Sequence, residues 1–141
     1  MKKTLIVGCG YLGSYLKLIL EKNKIKVSAI KRTYPKLGKQ NNFIYCDVSK
    51  EFSLEQKFDH IIYMISAASF TKEAYEKAYV KGLVSTIKTI KNSGNLQTQL
   101  IFISTTGVYP QKEAELVDES YSIESTLFPS NVLAEAEQIV K

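Results

Sequence analysis

Three glycines near the start of the chain constrain its fold more than any other feature. Gly8, Gly10 and Gly13 follow an apolar run at residues 5–7. They precede apolar residues that recur with a helical period, namely Leu12, Leu16, Ile19 and Leu20. A short apolar run, a glycine-rich turn and an amphipathic segment predict a strand, a tight turn and a helix in succession. The helix is expected over residues 11–22.

The spacing of these glycines, G-x-G-x-x-G, is typical of a turn that binds a dinucleotide. The first glycine allows the tight bend, the second allows a pyrophosphate to approach the backbone, and the third allows the helix to pack closely on the strand. Backbone N–H groups and the positive end of the helix dipole then face the phosphates. We therefore expect a dinucleotide site at Gly8, Gly10, Tyr11, Leu12 and Gly13. A purely structural turn is the alternative.

Length and composition indicate one globular domain. The chain has 141 residues, 45% of them apolar and 23% charged, which suffices for one core. Because no apolar run approaches the roughly 18 residues of a spanning helix and no signal peptide is recognisable, we expect a cytoplasmic protein without membrane association. Cys9 and Cys46 lack metal-ligand spacing, so we expect buried free thiols and no metal site.

The charge is unevenly distributed. Residues 1–50 hold 11 Lys/Arg and 2 Asp/Glu (net +9), and residues 51–141 hold 8 and 12 (net −4), which gives +5 in total. A basic half can attract nucleic acid or a membrane surface. Here the basic residues are mostly spread singly and no base-reading motif accompanies them, so we expect a phosphate-bearing cofactor rather than nucleic acid.

Strands and helices are predicted to alternate along the rest of the chain. Further strands are expected over residues 25–30, 43–46, 60–65 and 100–103, and helices over residues 71–92 and 130–141. The segment 34–42 has loop composition, and Ser93, Gly94 and Asn95 stop the long helix. Such alternation predicts an α/β fold with a doubly wound parallel sheet of the Rossmann type, in strand order 3-2-1-4-5. The fourth strand is so apolar that we expect both of its faces to be shielded from solvent.

The residues after the second and third strands bear on the choice of cofactor. In dinucleotide folds an acid about 20 residues after the glycines binds the ribose hydroxyls, whereas Arg or Lys there suits a 2′-phosphate. Lys31 and Arg32 stand in this window without an acid, which favours NADP over NAD, unless both are merely solvated. Asp47 follows the third strand, where it either caps the next segment or hydrogen-bonds an adenine amino group.

Other polar residues are expected at the same edge of the sheet. Ser66 and Ala67 follow the fourth strand, where small residues let the backbone approach a cofactor, whereas His60 lies at the opposite end and is interpreted as a surface residue. The apolar stripe of the long helix is interpreted as core, with partner binding as the alternative (Tyr75, Tyr79, Leu83, Ile87, Ile90). A long aperiodic stretch on the carboxyl side of the sheet holds further candidates, namely Thr105, Tyr109, Asp118 and Glu119.

The chain resembles the extended short-chain dehydrogenase/reductase superfamily, and within it an atypical branch of the NAD-dependent epimerase/dehydratase family. The resemblance is carried by residues 7–13, 46–48, 79–83, 104–109, 117–119 and 135–138. It implies that Gly8, Gly10 and Gly13 hold the pyrophosphate, and that Lys31 and Arg32 bind the adenosine end. It further assigns the adenine to Asp47 and Val48, and the role of the family's catalytic Ser/Thr to Thr105.

The chain also departs from the pattern of this family. Its members transfer a proton with a Tyr whose pKa is lowered by a Lys four residues later, yet no Tyr here has a Lys at that spacing. Alignment places Pro129 and Leu133 at those positions and Tyr79 where an Asn is expected, and Val7 where another glycine is usual. Tyr109 and Tyr121 are the candidate substitute acids.

Members of the family normally continue with further strands and a substrate lobe beyond the last helix. We therefore expect a cofactor-binding domain without that lobe, in which residues 100–103 form an exposed apolar edge. The expected function is that of an NADP(H)-preferring oxidoreductase or epimerase-like domain acting on a polar substrate such as a nucleotide sugar. The alternatives are a non-catalytic cofactor sensor and an interaction scaffold. The resemblance implies a homodimer formed through the helices at residues 71–92 and 130–141.

Overall fold

Five parallel strands form one sheet in the order β3-β2-β1-β4-β5. A computed structural model describes residues 2–34, 41–94, 96–110, 116–123 and 126–141. The strands are β1 (Lys3–Val7), β2 (Lys26–Lys31), β3 (Phe43–Tyr45), β4 (His60–Tyr63) and β5 (Gln99–Phe102). The predicted α/β class and strand order are confirmed.

The helices flank this sheet. They are α1 (Tyr11–Lys22), a long helix composed of α2 (Lys72–Tyr75), a π-helical segment (Glu76–Lys81) and α3 (Gly82–Asn92), and α4 (Phe128–Ile139). A short 3-10 turn covers Thr106–Val108. The predicted bounds of α1 are confirmed. Most of the predicted loop at residues 34–42, and Asn95 in the helix stop, lie outside the described residues.

Several predicted bounds differ from the structure by one or two residues. β4 ends at Tyr63, not at residue 65, because its neighbour β1 ends at Val7, the partner of Tyr63 in the register. α4 begins at Phe128, not at residue 130, with Pro129 in its first turn. Proline is favoured there because its fixed φ suits a helix start and its missing N–H has no partner in the helix anyway.

The core lies mainly between the sheet and the helices α3 and α4. Leu5, Ile61, Tyr63, Leu83 and Leu133 are fully buried in it. The apolar stripe of the long helix belongs to this cluster, which confirms its interpretation as core. Both cysteines are free, as predicted, although Cys46 is only half-buried.

The prediction that both faces of β4 are buried was wrong for one face. Ile61 and Tyr63 are buried, but Ile62 on the other face is only half-buried. On that face α1 packs on β1 and β2. Ile101, the register partner of Ile62, is 37% exposed and Ile103 beyond it is 40% exposed. The apolar edge expected at β5 is therefore present.

The π-helical segment of the long helix surrounds the hydroxyl of Tyr63, which helical periodicity could not predict. The buried Tyr63 hydroxyl donates a hydrogen bond to the carbonyl of Ala78 in this segment. A side chain inserted into the backbone ladder of a helix is one cause of such widened turns. Gly82 provides the space, because a Cβ there would overlap the Tyr63 hydroxyl oxygen.

We predict that Gly82→Ala destabilises the protein although alanine favours helices. Overpacking against the buried Tyr63 hydroxyl should lower the free energy of unfolding in urea by about 1–3 kcal/mol. The double variant Tyr63→Phe/Gly82→Ala should lose less than the sum of the two single losses, because the overlapping oxygen is gone. Additive losses, or a Gly82→Ala variant as stable as the wild type, would contradict this explanation.

Candidate functional site

A cavity of about 550 Å³ opens at the carboxyl edge of the sheet. Because the strands are parallel, the segments that follow them meet at this edge, where ligands of open α/β sheets bind. The cavity is lined by residues that follow each of the first four strands. Those predicted from the sequence are Gly8, Gly10, Lys31, Arg32, Asp47, Val48 and Ser66.

Two of the three glycines are required by the protein itself. Gly8 has a φ of +102°, and a Cβ there would lie 2.7 Å from Cγ1 of Ile65. A Cβ on Gly13 would lie 2.5 Å from the carbonyl oxygen of Gly8. Gly8 therefore makes the turn and Gly13 allows α1 to approach the end of β1, as their positions in the sequence predict.

Gly10 is different, because no neighbouring protein atom requires a glycine there. Its backbone, with φ −80° and ψ −146°, lies outside the left-handed region, and a Cβ at this position would meet no protein atom within 4 Å. Gly10 nevertheless lines the cavity. The open space in front of its backbone has the form expected of a cradle for a ligand group such as a phosphate.

Backbone N–H groups at the start of α1 face the same edge. No side chain caps this helix, and its first backbone bond in the chain runs from the N–H of Ser14 to the carbonyl of Gly10, at 2.9 Å. The N–H groups of Tyr11, Leu12 and Gly13 therefore have no acceptor within the helix. The side chains of Tyr11 and Leu12 are 98% and 58% exposed and form no part of the core. The unpaired backbone N–H groups are therefore what these two residues offer to a ligand.

Not every N–H group of the turn is available for a ligand. Those of Gly8 and Cys9 donate to the carbonyl of Ile30 at 3.3 and 3.1 Å. These bonds tie the turn to the end of β2. Of the N–H groups that the sequence predicts to face phosphates, those of Gly10 and the first turn of α1 therefore remain as candidates.

The cavity has a positive lining. Lys31, Arg32 and Lys77 line it together with one carboxylate, that of Asp47. The ammonium of Lys31 lies 5.0 Å from the ring centroid of Phe43 on β3, within the range of a cation–π contact. Arg32 is exposed at the end of β2. Such a potential attracts phosphate groups.

Asp47 is held by two neighbours. Its Oδ1 accepts hydrogen bonds from the backbone N–H and the hydroxyl of Ser49, at 3.1 and 2.7 Å, and its Oδ2 lies 2.9 Å from Nζ of Lys77. The Ser49 hydroxyl and, to a smaller extent, Lys77 lower the pKa of Asp47 to about 2. Of the two predicted roles, capping of the next segment is observed. The adenine role stays a prediction, since Asp47 also lines the cavity.

Lys77 was missed by the sequence analysis. Its partner Asp47 is 30 positions earlier in the chain, and no local pattern links a lysine on a helix to an acid after a distant strand. The only available signal was that both belong to elements expected to end or begin near the same sheet edge.

The segment after β4 contributes only one of its two predicted residues to the lining of the cavity. Ser66 lines the cavity, whereas Ala67 does not. The backbone of Ala67 instead hydrogen-bonds Tyr79, and burial raises the pKa of this tyrosine. Tyr79 therefore connects the π-helical segment to the residues that follow β4. His60 lies in the first position of β4, at the opposite edge.

Thr105 and Tyr109 lie after β5 and do not line this cavity. The hydroxyl of Thr105 accepts a hydrogen bond of 3.2 Å from the N–H of Gly107 and caps the 3-10 turn. The half-buried ring of Tyr109 packs edge-on against Tyr121, with centroids 6.0 Å apart. Asp118 accepts hydrogen bonds from the backbone and hydroxyl of Ser120.

Pro129 and Leu133, which the sequence analysis expects at the positions of the proton-transfer pair, lie in the first turns of α4. Pro129 is half-buried and Leu133 is fully buried against the core. Neither side chain carries a titratable group. Glu137, later in α4, accepts a hydrogen bond of 2.6 Å from the hydroxyl of Ser104.

The sheet order and the glycine turn at its carboxyl edge define a Rossmann-type domain. The chain belongs to the NAD dependent epimerase/dehydratase family, whose sequence model matches residues 4–139. Comparison with curated proteins finds no match.

Solved structures support the same fold. A protein from Methylobacillus flagellatus described as an NAD-dependent epimerase/dehydratase is 26% identical, with a TM-score of 0.78 over 99% of this chain. The nucleoside-diphosphate sugar epimerase from Corynebacterium glutamicum is 21% identical, with a TM-score of 0.78 over 99% of the chain. The Bordetella bronchiseptica enzyme WbmH, in complex with NAD+, is 16% identical, with a TM-score of 0.73 over 99% of the chain.

The present chain is much shorter than these proteins. It spans 50% of the Methylobacillus protein, 30% of the Corynebacterium epimerase and 52% of WbmH. Within the described ranges, no three His, Cys, Asp or Glu side chains come together as metal ligands. No helix in the part of the chain that the structure describes is long and apolar enough to cross a bilayer.

We predict that Asp47 stabilises the fold in a pH-dependent way. Its pKa is lowered to about 2 in the folded protein, against about 3.9 in an unfolded chain. Its contribution is therefore present above pH about 4 and is lost as the pH falls toward about 2. Asp47→Asn should be less stable than the wild type near neutral pH, and the difference in urea unfolding free energy should shrink across this window.

Ser49→Ala provides the matched control for this titration. It keeps the Asp47 charge but removes the hydroxyl that lowers its pKa most, so it should reproduce part of the loss. A difference between Asp47→Asn and the wild type that stays constant with pH would contradict the ionic role of Asp47.

Proposed function

We propose that this chain is the dinucleotide-binding domain of an NADP(H)-preferring oxidoreductase or epimerase-like protein. The observation that carries the proposal is the open space in front of Gly10, next to the uncapped start of α1. No protein atom occupies the space that a side chain would fill at this position, and a phosphate bound at a helix start would occupy it. The positive lining of the cavity supports the same ligand class.

Each part of the cofactor has candidate partners in the cavity. The pyrophosphate would be held at Gly10 and the N–H groups of Tyr11 and Leu12. Arg32, whose side chain is exposed at the cavity, is the preferred partner for a 2′-phosphate. Lys31 supports it by charge, because its ammonium is already placed over Phe43. Asp47 and Val48 would bind the adenine. Ser66 would let the backbone approach the cofactor within the cavity, and Ala67 would do so from just outside it.

When bound, such a cofactor supplies hydride transfer to or from a substrate carbon. By resemblance to the family, Thr105 would polarise the substrate oxygen, and Tyr109 or Tyr121 would hold the proton. A nucleotide sugar or similarly polar compound is the proposed substrate class, by analogy with the nucleoside-diphosphate sugar epimerase of similar fold. These roles concern the region after β5, outside the cavity.

A second candidate is a non-catalytic module that binds the dinucleotide and regulates a partner. The favouring observation is that no Tyr of the sequence has a Lys four residues later, and the resemblance places Pro129 and Leu133 at the positions of the family's proton-transfer pair. Thr105 is moreover engaged with Gly107. Reduction of NADP+ by a nucleotide sugar, or oxidation of NADPH by its keto derivative, would support the catalytic function, whereas binding without turnover would support the module.

We also propose a homodimer formed through the long helix and α4. Apolar side chains are accessible on and beside these helices, including Phe70 at 74%, Val84 at 48% and Leu127 at 53% exposure. Charged substitution of Val84 should shift the mass measured by light scattering from dimer to monomer. A wild-type protein that is monomeric at high concentration would contradict this pairing.

Calorimetry with NADPH and NADH tests the proposed cofactor preference. We expect NADPH to bind more tightly, and Arg32→Ala to weaken NADPH binding by roughly 10- to 100-fold because a charge-assisted hydrogen bond to the 2′-phosphate is lost. Binding of NADH should change much less. Lys57→Ala removes an equal charge at the opposite edge of the sheet and should leave both affinities unchanged. Equal binding of both cofactors would contradict the preference.

Substitution of the glycines separates ligand binding from folding. Gly10→Val should lower the unfolding free energy by about 0.5–2 kcal/mol, the usual cost of an apolar residue at a helix N-cap, because its side chain otherwise meets open space, yet it should weaken NADPH binding more than tenfold. Gly13→Ala should destabilise the protein by a direct steric clash, because its Cβ would overlap the Gly8 carbonyl oxygen. Undiminished NADPH binding by Gly10→Val would refute the phosphate-binding role of the turn.

A further inference from the structure

Among the described residues, four side-chain contacts attach the segment that follows β3 to the long helix, one of them a surface ion pair of 3.8 Å between Lys88 and Glu51. Lys77 Nζ lies 2.9 Å from Asp47 Oδ2. Farther along, the hydroxyl of Ser85 donates to the carbonyl of Lys50 at 2.7 Å, and the hydroxyl of Thr89 donates to the carbonyl of Phe52 at 3.0 Å. Only the contact between Lys77 and Asp47 is made by two residues that line the cavity.

The acceptor sites of the Asp47 carboxylate are nearly all in use. An ionised carboxylate offers about four lone-pair sites. Among the described residues, the two hydrogen bonds from Ser49 engage Oδ1, and Lys77 engages Oδ2 once. One site on Oδ2 is left for a further N–H donor. A cavity-lining carboxylate in this state suits one amino group and repels a carbonyl oxygen.

Lys77 and Ser49 connect the Asp47 carboxylate to different parts of the protein. Ser49 lies two residues away in the same segment, so its hydrogen bonds orient Asp47 only within that segment. Lys77 belongs to the π-helical segment, where the neighbouring Ala78 is tied through its carbonyl to the buried Tyr63 hydroxyl. The ion pair therefore fixes Asp47 relative to the core of the domain.

Stability alone does not explain this ion pair. The side chains of Lys77 and Asp47 are 48% and 25% exposed, and partly exposed pairs contribute little to folding. Their location at the cavity suggests that orientation of the carboxylate is the more important effect.

We propose that Lys77 is a positioning residue that holds Asp47 so that the remaining acceptor site on Oδ2 selects an amino-bearing base. This inference rests on the proposed dinucleotide function and extends it to selectivity for adenine over a base with an oxo group at the same position. Lys77 acts through Asp47 and makes no essential contact with the ligand.

Calorimetry with NADPH and its deaminated analogue, which carries hypoxanthine in place of adenine, tests this role. The wild type should prefer NADPH by roughly tenfold, as expected for one hydrogen bond to a charged group. Lys77→Met should reduce the preference to less than about threefold, mainly by weakening NADPH binding. Lys77→Arg, which retains a cation for Asp47, should keep most of the preference. Ser85→Ala breaks the next contact outside the cavity and should not change it.

The possible failures are distinguishable. If Lys77→Met weakens both dinucleotides equally, or if Lys77→Arg behaves like Lys77→Met, Lys77 contacts the ligand or supports the fold, and the inference is overturned. A wild type that binds both analogues equally overturns it while the proposed function stands. A wild type that binds neither dinucleotide contradicts the proposed function and this inference together. An unchanged urea midpoint for Lys77→Met shows that the variant is folded.

Discussion

The close approach of α1 to the end of β1 is the contact on which the rest of the site depends. The missing side chain of Gly13 lets the helix approach the Gly8 carbonyl, and the positive φ of Gly8 turns the chain sharply enough for the helix to begin at Tyr11, directly after Gly10. The two N–H bonds to Ile30 hold this turn against β2. As a result, α1 begins at the carboxyl edge of the sheet, directly after the cavity-lining residue Gly10.

A second constraint acts from the other side of the cavity. The buried Tyr63 hydroxyl occupies space beside the long helix, and Gly82 together with a widened turn accommodates it. The same turn carries Lys77, which pairs with Asp47. The packing of Tyr63 in the core is thus linked to the cavity, because Ala78, which accepts its hydrogen bond, is adjacent to Lys77 in the helix. The Gly10 side and the Asp47 side of the cavity are therefore set by different elements.

Much of this could be predicted from local sequence. The alternation of strands and helices, the strand order and the roles of Gly8 and Gly13 follow from periodicity and from the steric needs of glycine. The π-helical segment could not be predicted, because it depends on Tyr63 from a distant strand. The half-open face of β4 was also missed, since the apolar character of a strand does not reveal which helices cover it.

The candidate site was also predictable only in part, because local sequence places some of its residues and tertiary contacts place the others. Residues that directly follow a strand, such as Arg32 and Asp47, were found because the sheet edge collects them. Lys77 was not, because its role arises from a tertiary contact. The predicted grouping of Thr105 with the cofactor residues remains a prediction, since Thr105 lies outside the cavity and caps its own turn.

The most direct measurement of the central claim is an amide NMR titration of the labelled protein with NADPH. The start of α1 should respond most strongly, with the largest shift changes at the amides of Gly10, Tyr11 and Leu12. Changes confined to the basic residues near Lys57 and His60 at the opposite edge, or no changes at all, would contradict the assignment of a dinucleotide site to this chain.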